Sequence, residues 1–160
     1  MERLLASSAF ERARSVGLFW PMLDRGEVDV RAMAEAAAST GRQVGYPFLL
    51  EDGEMTLLIA DSASLEERGH GFAEPPERAP ALPIDDGLIV IVPALAVDLN
   101  GHRIGYGKGF YDRLLARIQP PAYAIAVAYD FEVIGEVPVT EHDRAVDMVA
   151  TDLRTWQVAR

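Results

Sequence analysis

At 160 residues, 49% of them hydrophobic, the chain has the length and apolar content of one globular domain with a sizeable core. Its formal net charge of -10, from 25 Asp and Glu against 15 Lys and Arg, repels phosphate backbones and anionic lipid, which argues against nucleic-acid and membrane partners. The sequence has no cysteine, so disulfides and thiolate catalysis are excluded; no stretch reads as a signal peptide or a membrane span, and the expected setting is cytoplasmic.

Glu2 to about Arg14 reads as a helix with Leu4, Leu5 and Phe10 on one side, followed by a short buried strand from Val16 to Trp20 that Pro21 closes. Asp29 is placed to cap an Ala-rich helix ending near Gly41, and Gln43 to Leu50 forms the next strand, which together make a βαβ pattern. Asp52-Gly53 lies between two apolar runs and predicts a hairpin, with Glu54 to Ala60 antiparallel to the strand before it. From Ser62 to Pro83 the chain is polar and broken by Gly69, Gly71 and several prolines, as expected of a long loop with one helical turn near Leu65.

The run from Gly87 to Pro93 has no polar face, which a central parallel strand covered on both sides requires. After the turn sequence Asp98-Leu99-Asn100-Gly101 comes a glycine-rich loop. A helix then starts near Phe110, with Tyr111, Leu114, Leu115 and Ile118 at helical spacing before Pro120-Pro121 stops it. Ala122 to Ala128 is the next buried strand, and a last short strand is expected near Val149. These elements predict a single three-layer α/β/α domain over residues 1–160 with a mainly parallel, mixed central sheet. Its ligand edge should lie at the carboxyl ends of the strands finishing at Trp20, Pro93 and Tyr129.

Glycines at 105, 107 and 109 allow positive φ and close approach of the backbone, so successive N–H groups can converge on an anion, helped by the positive end of the helix that follows. Lys108 adds a full charge and Arg103 a second, forked one, which makes a phosphate the natural guest. The spacing fits neither the P-loop nor the dinucleotide fingerprint, and a tight turn into a helix accounts for the glycines equally well. Asp112, in the first helical turn, either complements the helix dipole or holds Mg²⁺ beside the phosphates.

The stretch Val92-Pro93-Ala94-Leu95-Ala96-Val97-Asp98, continued by Gly101-His102-Arg103-Ile104-Gly105-Tyr106-Gly107-Lys108-Gly109-Phe110-Tyr111-Asp112-Arg113, closely resembles the signature of the 5-formyltetrahydrofolate cyclo-ligases. Gly26-Glu27-Val28-Asp29, Pro47 at the end of a strand, Gly71-Phe72-Ala73-Glu74-Pro75, Val137-Pro138-Val139 with His142-Asp143, and Ala150-Thr151-Asp152 follow in the family's order. The resemblance implies ATP- and Mg²⁺-dependent cyclisation of 5-formyltetrahydrofolate, with or without a polyglutamate tail, to 5,10-methenyltetrahydrofolate, with a monomer favoured. It implies an ATP site of Arg103, Ile104, Gly105, Tyr106, Gly107, Lys108, Gly109, Phe110 and Tyr111, with Lys108, Arg103 and Tyr111 catalytic. It also implies a folate site of Trp20, Glu27, Gly107, Lys108, Gly109 and Phe110, and Mg²⁺ on Asp112 and Asp143.

Glu74-Pro75 reads as a loop element near the site or, equally, as an exposed turn. Outside that resemblance, Glu27 reads as a helix-start carboxylate, Trp20 as a core residue and His142 as a surface or hydrogen-bonded histidine; His70 and His102 lack metal-site spacing. The family's basic N-terminal helix is matched only loosely by Arg3, Arg12 or Arg14, so the helical region before the first strand is shortened. Ala94, Val97 and Glu132 replace the family's usual glycine, phenylalanine and glutamine; Glu132 is expected to alter the folate pocket. The alternative is a divergent relative that binds nucleotide or folate without this turnover.

Overall fold

A computed structural model describes residues 2–118 and 122–159. The N-terminal segment is two short helices, α1 (Glu2–Leu5) and α2 (Ser8–Arg12), where the sequence predicts one. Ser7 breaks it: its hydroxyl accepts the Phe10 N–H at 3.2 Å and starts a new helix in place of continuing the old one. Strand β1 (Ser15–Gly17) ends sooner than the apolar run suggests, and buried Leu18 and Phe19 and half-buried Trp20 continue as non-strand chain toward the sheet edge.

Helix α3 (Arg31–Ser39) is followed by Gly41 at φ +75°, as expected; its N-cap is Val30, without a side-chain cap, and Asp29 sits one residue earlier, its Oδ1 accepting the Arg31 N–H at 3.1 Å. Strands β2 (Gln43–Leu49) and β3 (Met55–Ile59) form the expected hairpin around Gly53, at φ +81°. Pro47 sits inside β2, beyond the part that pairs with β1, and does not end the strand. The expected long loop contains a 3₁₀ turn (Ser62–Ser64) and a small hairpin of β4 (Glu66–Glu67) and β5 (Ala73–Glu74).

Strand β6 (Leu88–Pro93) is central as expected. It leads into a third hairpin, β7 (Ala96–Val97) with β8 (Arg103–Ile104), which carries the turn at Gly101. Helix α4 (Phe110–Arg117) follows the glycine loop; the prolines expected to stop it lie outside the described residues. Strands β9 (Tyr123–Val127), β10 (Met148–Ala150) and β11 (Thr155–Gln157) complete a seven-stranded sheet of order β11-β10-β9-β6-β1-β2-β3. Its five inner strands are parallel and both edge strands antiparallel.

Alternation along the strands divides the core in two. Val16, Ile89, Ile91, Ile125 and Met148 pack under α1 to α3 through Leu4, Phe10, Val30 and Met33. Val90, Val92, Ala124 and Val149 face α4 through Leu114 and Leu115. This is the predicted three-layer α/β/α arrangement. Helices on both faces leave the carboxyl ends of β1, β2 and β6 open, as ligand sites in parallel sheets require. Among the described residues, no helix is long and apolar enough to cross a membrane.

Candidate active site

A cleft of about 630 Å³ opens at those strand ends. The chain after β1 supplies Trp20 and Glu27, β6 supplies Pro93, and the loop before α4 supplies Arg103 through Asp112; Asp143 comes from the segment before β10. Every residue named above for the nucleotide, folate and metal sites therefore borders one cavity. Tyr129, expected at the same edge, lines instead a separate hollow of about 210 Å³ beside β10, because β9 lies one strand further from the opening.

In the glycine loop, Gly107 and Gly109 have φ of +76° and +66°, whereas Gly105 stays out of the left-handed region. A Cβ on Gly107 would meet nothing within 4 Å, so open space borders the backbone where a ligand would approach. Gly109 caps α4, and the first-turn N–H groups and the dipole of α4 point toward the loop. Lys108 is the only lysine in the chain; it is exposed and forms no ion pair among the described residues.

Arg103 borders the cleft in a different state. Its side chain is 5% exposed, with Nη2 donating to Asp112 Oδ1 at 3.0 Å and Nη1 to the Arg144 carbonyl at 2.6 Å. Burial lowers its pKa, against the opposing charge of Asp112. The forked grip on a phosphate expected from sequence is thus already directed onto protein groups, and Arg103 fixes Asp112. The Arg144 N–H also donates to Asp112 Oδ1, at 3.2 Å.

Asp143 Oδ2 accepts the Thr140 N–H at 2.6 Å, which with the nearby Arg103 and His102 charges holds its pKa below the usual carboxylate value despite slight desolvation. Asp112 and Asp143 offer hard carboxylate oxygens to one cavity, a donor set suited to Mg²⁺. No cluster of three or more His, Cys, Asp or Glu occurs among the described residues, so the pair fits an ion that keeps waters or phosphate oxygens as its other ligands.

Glu27 is placed by Gly26, whose φ of +78° turns the chain back after a 3₁₀ turn (Leu23–Arg25) so that Glu27 Oε2 accepts the Met22 N–H at 2.6 Å. Burial raises the Glu27 pKa, with Met22, the Tyr106 hydroxyl and Arg25 partly offsetting it. A buried, under-compensated carboxylate in a cleft is suited to bind N–H donors. The Tyr111 pKa is also pushed up, first by burial and then by Glu27, with Arg103 opposing. Trp20 packs edge-to-face on Tyr46 at 6.2 Å while lining the cleft, so it is both a core residue and an apolar wall.

The sequence reading missed Arg25, His70 and Phe72, which also line the cleft. His70 is carried by the β4–β5 turn, which Glu67 shapes by accepting the N–H groups of Gly69 and Gly71, both at 2.9 Å. The glycines flanking His70 were the available signal. Glu74 is not an exposed turn residue: it is 0% exposed, and its oxygens take the Leu49 N–H at 2.9 Å and His70 Nδ1 at 2.5 Å. Glu132 does not border the cleft; it accepts the Tyr129 N–H at 2.7 Å and caps its own 3₁₀ turn (Asp130–Glu132). His142 is exposed beside Glu141, and Arg3 and Arg14 bond to Asp152 and to Asp85 and Asp86, away from the cleft.

The sequence model of the 5-formyltetrahydrofolate cyclo-ligase family matches residues 1–152. The chain belongs to this family. A 5-formyltetrahydrofolate cyclo-ligase of Mycolicibacterium smegmatis is 45% identical over 112 residues, covering 69% of this chain and 55% of that protein. The cyclo-ligase of Mus musculus is 26% identical over 164 residues, covering 92% and 78%. Among solved structures, the 5,10-methenyltetrahydrofolate synthetase of Aquifex aeolicus superposes with a TM-score of 0.82 at 29% identity, covering 99% of this chain and 79% of that one. The fold and the cleft described above are thus those of a cyclo-ligase family member.

Proposed function

We propose that the chain uses ATP and Mg²⁺ to cyclise 5-formyltetrahydrofolate to 5,10-methenyltetrahydrofolate, the product named for its Aquifex aeolicus neighbour. The formyl oxygen attacks the γ-phosphorus and the bond to ADP breaks, releasing ADP; the aniline nitrogen then bonds to the formyl carbon, losing its proton, and the C–O bond breaks to release phosphate. The chain then has no need of a cysteine or serine nucleophile, because phosphoryl transfer depends on positioning and charge neutralisation.

The observation that carries this reading is the Lys108 ammonium, without an ion pair among the described residues and set among open glycine backbone in the same cleft as two carboxylates and a buried glutamate. Lys108 and the amides around Gly107 and Gly109 would neutralise and orient the phosphoryl oxygens. Asp112, held by Arg103, and Asp143 would hold Mg²⁺, which when bound supplies further charge neutralisation at the phosphates. Glu27 would accept N–H groups of the pterin beside Trp20, with Phe110 and Tyr111 closing the space between the two substrates.

The test is direct: protein, ATP, Mg²⁺ and 5-formyltetrahydrofolate are mixed and the near-ultraviolet absorbance of the methenyl product is followed. Product that forms only with both ATP and Mg²⁺ is expected. Its absence at high protein concentration would refute the assignment, and calorimetric nucleotide binding in that case would favour a relative that binds without this turnover.

A further inference from the structure

We propose that Arg25 and His70 form a subsite for a carboxylate of the substrate's glutamyl tail, separate from the glycine loop; this rests on the cyclo-ligase reading for the identity of the substrate. Both residues line the cleft, from different loops: Arg25 from the 3₁₀ turn after β1, His70 from the β4–β5 turn. The two loops meet, since a Cβ on Gly71 would lie 3.8 Å from the Arg25 guanidinium.

The site is built, not incidental. Glu74, wholly buried, uses one oxygen to take the Leu49 N–H and turns the other to His70 Nδ1 at 2.5 Å, which fixes the imidazole against β2. A carboxylate does not donate, so Nδ1 is the donor and Nε2 is the ring nitrogen available to a ligand. In its cationic form the ring donates on both sides, to Glu74 and outward. With His70 set against the Glu74 carboxyl group, the full positive charge of the subsite comes from Arg25.

Arg25 is an exposed guanidinium without a salt bridge among the described residues; it lies over the Tyr106 ring, with the guanidinium carbon 5.8 Å from the centroid. In a chain of net charge -10, Arg103 and Arg113 are by contrast paired, with Asp112 and with Glu54. An exposed guanidinium with no salt bridge among the described residues, near Glu27 but not hydrogen-bonded to it, suits with the anchored imidazole one loop away an anion held by a charge-assisted, forked contact. Phe72 and Pro47 border the same cavity and give the apolar surface that a benzoyl linker before such a carboxylate requires.

The guest could also be a phosphate of the nucleotide, and the experiment separates the two. Calorimetry measures binding of 5-formyltetrahydrofolate and of 5-formyltetrahydropteroate, which lacks the glutamate, to wild type, Arg25→Ala and His70→Gln; ATP is titrated in parallel. Wild type should prefer the tail-bearing ligand by roughly tenfold or more, and each substitution should shrink that preference. Thermal unfolding of both variants shows whether they are folded, and His70→Asn serves if His70→Gln is not. A preference that survives in both folded variants overturns the subsite. So does a loss that falls on ATP and leaves the tail preference intact. Because binding is read without turnover, failure of the cyclisation assay would remove the proposed reaction without removing this result.

Discussion

Replacing Asp112 by alanine removes a carboxylate oxygen that accepts two N–H groups, from Arg103 Nη2 at 3.0 Å and from the Arg144 backbone at 3.2 Å. The Arg103 side chain is only 5% exposed and Asp112 25%, so solvent screens their pairing weakly. With Asp112 gone, Arg103 keeps the Arg144 carbonyl and is otherwise a buried cation without its counter-charge. Loss of one member of such a pair costs about 3–5 kcal/mol. In a domain of this size that lowers the melting temperature by roughly 6–20 °C. Asp112→Asn keeps an oxygen acceptor at the same place, so its cost should be smaller, about 1–2 kcal/mol. Both variants should lose Mg²⁺-dependent turnover, because neither offers an anionic oxygen to the ion. Urea denaturation of the three proteins, with turnover measured across Mg²⁺ concentrations, gives the comparison. An alanine variant as stable as wild type would refute the claim that Asp112 compensates Arg103. An asparagine variant with unchanged Mg²⁺ dependence would remove Asp112 from the metal site.

Lys108→Ala should lower turnover on the order of 10²–10³-fold, the scale for loss of one preorganised charge-stabilising group; an unchanged rate places Lys108 outside the phosphate site. As the sole lysine, Lys108 should also be the one side-chain amine labelled by an amine-selective reagent, with ATP and Mg²⁺ protecting it; labelling indifferent to nucleotide would count against the loop as the phosphate site. Burial raises the Glu27 pKa, so the folded state binds its proton more tightly than the unfolded chain. The stability this gives is present below the unfolded carboxylate pKa and is lost as pH rises through the folded one. Glu27→Gln should therefore gain stability relative to wild type at neutral pH and lose that advantage in acid, as denaturation at the two pH values would show. A Cβ on Gly45 would sit 2.9 Å from the Leu82 side chain and 3.2 Å from the Leu58 carbonyl oxygen, so Gly45→Ala should cost about 1–3 kcal/mol in a denaturant titration.

The central strand, the hairpin at Gly53, the end of α3 and the glycine loop were readable because each has a local cause: an apolar run, a turn dipeptide, a helix-ending glycine, a positive-φ glycine. The β4–β5 and β7–β8 hairpins were not, since two-residue strands carry no periodicity. Strand β11 pairs only with β10 and is stabilised by that pairing and by the contact of Trp156 with the second core layer, not by its own pattern. The side chains expected in the site are brought together, but their states depend on distant residues. Nothing near Arg103 in sequence announces that Arg144, 41 residues later, would take one of its donors, or that Glu74 would be buried against β2.

That difference in state bears on how an acidic protein can hold polyphosphate. Arg103 lies next to the glycine loop and still cannot act as a free charge, because Asp112 and the Arg144 carbonyl occupy both ends of its fork. In the proposed reaction, the charge at the glycine loop would therefore be supplied by the Lys108 ammonium, by backbone N–H groups and by α4, not by an Arg103 clamp. An ammonium on a four-carbon stem can follow a γ-phosphoryl group as it moves between two acceptors, which a guanidinium locked by two partners cannot do. Arginine supplies the other 14 of the chain's 15 basic side chains. The single exception stands where a mobile point charge, not a fixed planar one, suits the chemistry proposed for the cleft.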